Sequence, residues 1–298
     1  MTRTFIIYLL ALCQRYTLTM TKRIGGIIAG LLLTGISLAQ NGWEAGPWGG
    51  ISYYFGDLNT NFDLGTPGAS AGFALRYSFN ERICLRAGLN TGTVSADDAR
   101  SKNNFERARN LSFQSALTDG SLQLEFNFLP YIHGHRDYFF TPYMLGGMAY
   151  ARFNPKAEFD GRLYELRPLG TEGQLRGEEY YIGSFAWLYG GGFKLDLNYR
   201  FSLNLEIAAR ALSTDYLDDV SGVYADKRDL QRLRGDLAVA LSDRSIPLPG
   251  TESSQLGRPG VQRGDRNSKD TYMYLGLGIL YYFGDLKCPD ANIRRRLR

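Results

Sequence analysis

Few residues in this sequence are of a type and spacing that could do chemistry. The only two histidines, His133 and His135, sit two apart in Tyr131-Ile132-His133-Gly134-His135-Arg136-Asp137. Two imidazoles so placed could share a metal, but no cysteine or third histidine nearby completes a tetrahedral set. They read as polar turn residues. Asp215, Asp218 and Asp219 crowd the stretch Thr214-Asp215-Tyr216-Leu217-Asp218-Asp219-Val220. Calcium would suit such carboxylates, yet the glycine and the bidentate glutamate of a helix-loop-helix calcium loop are missing. A hydrogen-bonded loop anchor is the preferred reading. The glycines of Gly146-Gly147 and Gly190-Gly191-Gly192 lack phosphate-cradle spacing and suit places where strands bend or pack closely. A Ser-His-Asp arrangement cannot be argued without knowing which loops meet. The reading is of a chain with no catalytic, cofactor or metal site.

The elements that carry these residues alternate. Thr271 to Phe283 places Met273, Leu275, Leu277, Ile279, Tyr281 and Phe283 on one face, with Tyr272, Tyr274, Gly276, Gly278, Leu280 and Tyr282 between them. A strand sends successive side chains to opposite faces, so one face is apolar and the other mixed. Seven further segments behave similarly: 43–55, 70–79, 83–93, 110–129, 138–153, 180–198 and 200–212. In 138–153 the residues in phase are Tyr143, Leu145, Gly147, Ala149 and Ala151. Tyr53-Tyr54-Phe55-Gly56-Asp57-Leu58 recurs as Tyr281-Tyr282-Phe283-Gly284-Asp285-Leu286. The first and last strands are therefore expected to pair and close one sheet.

The connections also sort. Residues 79–82, 130–137 and 198–200 form short turns, whereas 56–69, 94–109, 154–179 and 213–270 are long and polar. Even strand number, with short turns on one side and long loops on the other, is the pattern of an outer-membrane barrel. A soluble lipocalin-type barrel alternates too. Here, however, the apolar row is nearly free of charge and is expected to face lipid. The fold expected is an eight-stranded antiparallel up-and-down transmembrane β-barrel with long extracellular loops.

Composition agrees. The 298 residues include 20 Tyr, 17 Phe and 35 Gly at a mean hydropathy of -0.25. No apolar run of the roughly 20 residues needed for a helical span occurs after residue 39. Net charge is only +4, and no basic face with interleaved aromatics suggests nucleic acid. Lys22 and Arg23, the apolar run Ile24 to Leu38 and Ser37-Leu38-Ala39 before Gln40 read as a secretory signal peptide. Residues 1–19 read as an upstream extension, with Met20 as the start. A lipoprotein reading of Cys13 is weaker because bulky Leu12 precedes it. The expected division is 1–39 extension and signal, 40–286 barrel and 287–298 basic periplasmic tail.

An eight-stranded barrel has an interior that side chains just fill. Arg76, Arg86, Glu125, Lys194, Asp196, Glu206 and Arg210 fall on the inward face and are expected to pair as a plug, since unpaired buried charge is very costly. Cys84 faces inward near the short-turn end, from which a tail bearing Cys288 leaves. A Cys84–Cys288 disulfide would pin that tail in the mouth, and the oxidising compartment permits one. The tail ends in Arg294, Arg295 and Arg296, then Leu297 and Arg298, a cluster suited to an acidic partner or to solvent.

Tyr53-Tyr54-Phe55-Gly56-Asp57-Leu58-Asn59, Thr141-Pro142-Tyr143, Gly170-Thr171-Glu172-Gly173-Gln174 and Thr214 to Ser221, taken in order, resemble the PorG-like family. That family is the small outer-membrane barrel component of the type IX secretion system of Bacteroidetes. The resemblance implies a non-catalytic barrel that anchors a periplasmic ring, made of a lipoprotein and its partner of the PorK and PorN types, beneath outer-membrane lipid. The short-turn side is then the expected contact surface: Asn80, Glu81, Arg82, His133, His135, Arg136, Arg200 and the arginine tail. Both termini would be periplasmic. The alternatives are a stand-alone structural or adhesive barrel and a lipid-modifying outer-membrane enzyme, which would need a polar catalytic cluster near the outer leaflet.

Overall fold

The computed structural model describes residues 42–246 and 256–284. The signal peptide, Cys13, Cys288 and the arginine tail lie outside the described residues. Strands β1 (Gly42–Phe55), β2 (Gly68–Ser78), β3 (Ile83–Asp97), β4 (Ser112–Asn127) and β5 (Phe140–Phe159) run antiparallel in sequence order. A short β6 (Arg162–Glu165) folds back on the end of β5 as a hairpin outside the barrel. β7 (Gly183–Asp196), β8 (Phe201–Leu212) and β9 (Thr271–Tyr282) complete the circuit. β9 pairs with β1, from Glu44↔Tyr282 to Phe55↔Thr271. The sheet therefore closes as an eight-stranded antiparallel barrel without free edges.

Several strands are longer than the roughly 9–11 residues a membrane requires. β4 has 16 residues and β5 has 20, and their surplus lies at the long-loop end. The outward rows are apolar: Leu277, Ile279, Leu122, Leu124, Trp187 and Phe193 are each about half exposed. At the short-turn end, ring contacts such as Trp43–Tyr77 and Phe126–Phe128 form part of an aromatic rim. An apolar band with aromatic borders is the exterior of a barrel solvated by lipid. The chain is a small outer-membrane-type barrel, and no helix among the described residues is long and apolar enough to cross a membrane.

One strand reverses its expected facing. In β5 the row Tyr143, Leu145, Ala149 and Ala151 is buried inside, whereas Met144, Met148 and Tyr150 face out. Both rows of β5 are largely apolar, so alternation alone could not choose between them. The register decides: Tyr143 lies opposite Asn127 and Leu145 opposite Glu125, both inward on β4.

The described parts of the long connections are folded. Residues 98–111 contain α1 (Asn104–Arg109), capped by the Asn103 side chain. Residues 213–270 contain α2 (Lys227–Arg234), which Asp226 caps through the amides of Arg228 and Asp229, and α3 (Asp236–Ser242). Leu217, Leu230 and Leu241 are buried beneath this cap.

Candidate functional site

The lumen is layered. At the short-turn end Glu125 sits between three cations: Arg76 Nε at 2.8 Å, Lys194 Nζ at 2.7 Å and Arg86 Nη1 at 3.4 Å. Arg76 also donates to Glu44 Oε2 at 3.1 Å and to Asn204 Oδ1 at 2.8 Å. Arg86 forms a fork with Glu206, whose Oε2 accepts from the Tyr143 hydroxyl at 2.8 Å. One layer higher, Arg210 lies 3.5 Å from Asp119, which accepts from Asn90 and from the Tyr272 hydroxyl. Above that the filling is apolar, with Leu117, Phe113, Phe153, Leu188 and Leu212. A residual cavity of about 20 Å³ lies between Trp48, Arg86 and Glu206, space for about one water. Among the described residues these layers fill the lumen with side chains.

His133 lies in the short turn, as its sequence context suggests, but not on an open polar surface. The ring is buried, stacked on Tyr282 at 4.3 Å, with Nε2 3.1 Å from Glu44 and Nδ1 3.0 Å from Asp196. Asp196 also accepts from the Tyr131 hydroxyl and from the Gly134 amide. The turn thus folds into the barrel mouth and stoppers it. Burial works against the imidazolium, but the Glu44 and Asp196 carboxylates against its two nitrogens outweigh it and hold His133 up at about 9. With His133 charged, five cations (Arg76, Arg86, His133, Lys194, Arg210) meet five acids (Glu44, Asp119, Glu125, Asp196, Glu206) among the described residues.

The buried, charge-pairing roles of Glu44, Asp119 and His133 escaped sequence reasoning. The inward phase of Glu44 in β1 was available as a signal. Asp119 lies where β4 runs beyond its clearly alternating end, and nothing local marks His133 as buried.

The other short-turn residues differ in availability. Arg136 and Arg82 are exposed, although Arg82 donates to the Phe128 carbonyl at 2.7 Å. Asn80, Glu81, His135 and Arg200 are half-buried. Asn80 Oδ1 accepts from the amides of Arg82 and Ile83, and Arg200 donates to the carbonyls of Tyr282 and Gly284. Cys84 is buried and makes no disulfide among the described residues, its sulfur lying 3.4 Å from the Ser78 hydroxyl and 3.7 Å from Lys194 Nζ, while the expected partner Cys288 lies outside them.

At the long-loop end the quoted motifs converge. Thr171 donates to Asp219, which also accepts from the Tyr180 hydroxyl at 2.7 Å. Glu172 Oε1 accepts from the amides of Ser221 and Gly222 and from Arg263. Arg109 binds Asp98 and the carbonyls of Asp57 and Arg263, joining three loops. The three aspartates of the acidic stretch anchor or line the cap, and no metal-holding group of His, Cys, Asp or Glu occurs among the described residues. Gly147 is a close approach, since a Cβ there would lie 2.2 Å from the Leu122 carbonyl oxygen, whereas Gly146 faces open space.

Residues 22–238 match the family described as "Domain of unknown function (DUF6089)". The chain belongs to that family. The DUF6089 match takes in the strands from β1 to β8 together with the first half of the cap, and β9 follows it. No curated protein matches. Among solved structures, the N-terminal β-barrel domain of Pseudomonas aeruginosa OprF is 13% identical, covering 82% of this chain and 98% of its own, at TM-score 0.34. Neisserial surface protein A is 8% identical, with 81% and 97% covered at TM-score 0.41. OprG of Pseudomonas aeruginosa is 13% identical, with 83% and 97% covered at 0.40. Such likeness concerns the fold alone, and closure of the DUF6089 barrel rests on the strand pairing described above.

Proposed function

We propose that this barrel is a non-catalytic outer-membrane anchor for the periplasmic ring of the type IX protein secretion system. Its partners are the ring lipoprotein and its companion of the PorK and PorN types, held beneath outer-membrane lipid. The observation that carries the reading is the stoppered short-turn mouth. A lumen filled by paired charge and closed by His133 conducts nothing, so function must lie on the faces. The brace from Glu44 through His133 to Asp196 gives the short-turn face a fixed shape on which a ring could seat. The resemblance of the Tyr-Phe-Gly-Asp and Thr-Asp-Tyr-Leu-Asp-Asp stretches to the PorG-like family supplies the identity of the ring.

In this reading Arg136, with the half-buried Glu81, His135 and Arg200 around it, forms the contact rim. The arginine tail (Arg294, Arg295, Arg296) adds basic charge to this contact, and the termini are periplasmic. A photo-crosslinker at position 136 should capture ring proteins from detergent extracts, and deleting the gene should abolish secretion through the system. Capture of no ring protein, with secretion intact, would leave the second reading. That reading is a structural or adhesive barrel acting through its folded cap, and the two helices of 213–270 favour it. A lipid-modifying enzyme is disfavoured because both histidines sit at the short-turn end, away from the cap.

A further inference from the structure

At the long-loop end the Tyr54 hydroxyl lies 2.5 Å from Asp218 Oδ2 and 3.0 Å from Asp270 Oδ1. All three side chains are buried. A phenol has one proton to donate and a carboxylate has none. Tyr54 can therefore donate to only one of the two acids. The second contact is a hydrogen bond only if that acid keeps its own proton and donates it to the phenol oxygen. The remaining oxygens are already occupied. Asp218 Oδ1 accepts from the Val220 amide at 2.9 Å, and Asp270 Oδ2 accepts from the Leu217 amide at 2.8 Å. The shorter contact is the one suited to a charged acceptor, so Asp218 is the anion and Asp270 Oδ1 carries the proton. Gly56 makes the approach possible, since a Cβ there would lie 2.1 Å from Asp270 Oδ1 and 2.2 Å from the Tyr54 oxygen.

The surroundings favour holding that proton. Asp57 of the loop after β1 and Asp215 of the cap, which burial raises to about 6 and about 7, add negative charge as they ionise. Asp215 is 2% exposed, and neither oxygen takes a hydrogen bond of ordinary geometry, the neighbouring Ser221 hydroxyl included. Arg109 of α1 is the cation facing Asp218, but its guanidinium is committed to Asp98 and to two backbone carbonyls. Glu172 and Lys269 lie beyond Asp215, and Phe113 of β4 packs edge-on against the Tyr54 ring at 4.8 Å. Burial, with each acid's charge opposing the other's, makes the Asp218–Asp270 pair as a unit hold one proton well above the usual carboxylate range. The Asp215 charge adds to the push on Asp270.

We infer that Tyr54, Asp218 and Asp270 form a proton-binding latch that holds the 213–270 cap on the barrel, and that loss of its one proton releases the cap. On release the Asp270 O–H bond breaks and the proton passes to a base in bulk water. Two buried carboxylates are then left to compete for one hydroxyl. They separate, and the Leu217 and Val220 segment between them comes away from β1.

The test is trypsin cleavage within 214–246 of the full-length protein in detergent micelles, from about pH 5 to about pH 9. Each rate is divided by that of D270N at the same pH, which cancels the pH profile of the protease. The amide in D270N supplies a permanent donor to Tyr54 and still accepts from Leu217, so this variant should stay latched throughout. The wild-type ratio should be near one at the acid end and rise by about tenfold per pH unit beyond the midpoint, until the cap is open. D218N should also stay latched, its amide donating to Tyr54 while the hydroxyl turns to Asp270, and it answers the question if D270N does not assemble. The latch is overturned if wild type and amide variants are cleaved alike at every pH, or if the amide variants are open at the acid end. Closure of the alkaline wild type by millimolar calcium would also overturn it, assigning the acids to a cation.

Discussion

His133 Nε2 lies 3.1 Å from Glu44 Oε1, across the short-turn mouth of the barrel, joining a turn to the first strand. Asp196 of β7 holds the other ring nitrogen at 3.0 Å, so one imidazole ties three chain segments together. The contact also completes the lumen charge balance. With a neutral His133, the five lumen acids would face only four cations.

That balance gives a pH dependence. The folded value for His133, about 9, lies above the ordinary value of about 6.5. Its contribution is fully present below about pH 6.5 and is lost as pH rises through about 9, an interval worth roughly 3 kcal/mol. The unfolding temperature of the purified barrel, followed by heat-dependent gel mobility, should fall across this window. H133Q should be less stable at neutral pH and show a flatter slope. Parallel slopes would remove the clamp.

Glu125 is the shared acid of the lower layer. E125A should destabilise the barrel by about 3–5 kcal/mol, because it strips a counter-charge from three buried cations. The double variant E125A/K194M should recover part of the loss, since Arg76 keeps Glu44 and Asn204. A double-mutant cycle in urea would show the coupling. Strict additivity would mean the pair is not coupled.

Two glycines should behave oppositely. A Cβ on Gly50 would lie 2.1 Å from the Leu275 carbonyl oxygen at the β1–β9 closure, whereas one on Gly146 meets nothing within 4 Å. G50A should slow or prevent closure, seen as loss of the compact gel band. G146A should fold like wild type.

The outward row can be tested directly. Leu277 is half exposed on β9, and L277R should cost about 2–4 kcal/mol in a lipid bilayer. The same change should be nearly neutral if that face met water.

Much of the fold was legible in order of residues. Phe201, Leu203, Leu205 and Ile207 alternate with Ser202, Asn204 and Glu206, and β8 faces as that pattern requires. β5 was not legible, because Tyr143 and Met144 are both apolar and only pairing with β4 chooses between them. The helices of the cap are hidden in the sequence, since short helices such as α2 lie within a largely polar stretch.

Strand alternation, turn lengths and the inward phase of most lumen charges follow from the amino-acid order alone, because a strand's two-residue period is local. Which acid meets which base does not. Glu44 and His133 are 89 positions apart in the sequence, and Tyr54 and Asp270 are 216 apart. Only closure of the sheet, with the strands staggered around it, brings those pairs to one level. Tertiary structure alone therefore decided that a turn histidine stoppers the mouth and that one tyrosine hydroxyl must serve two acids.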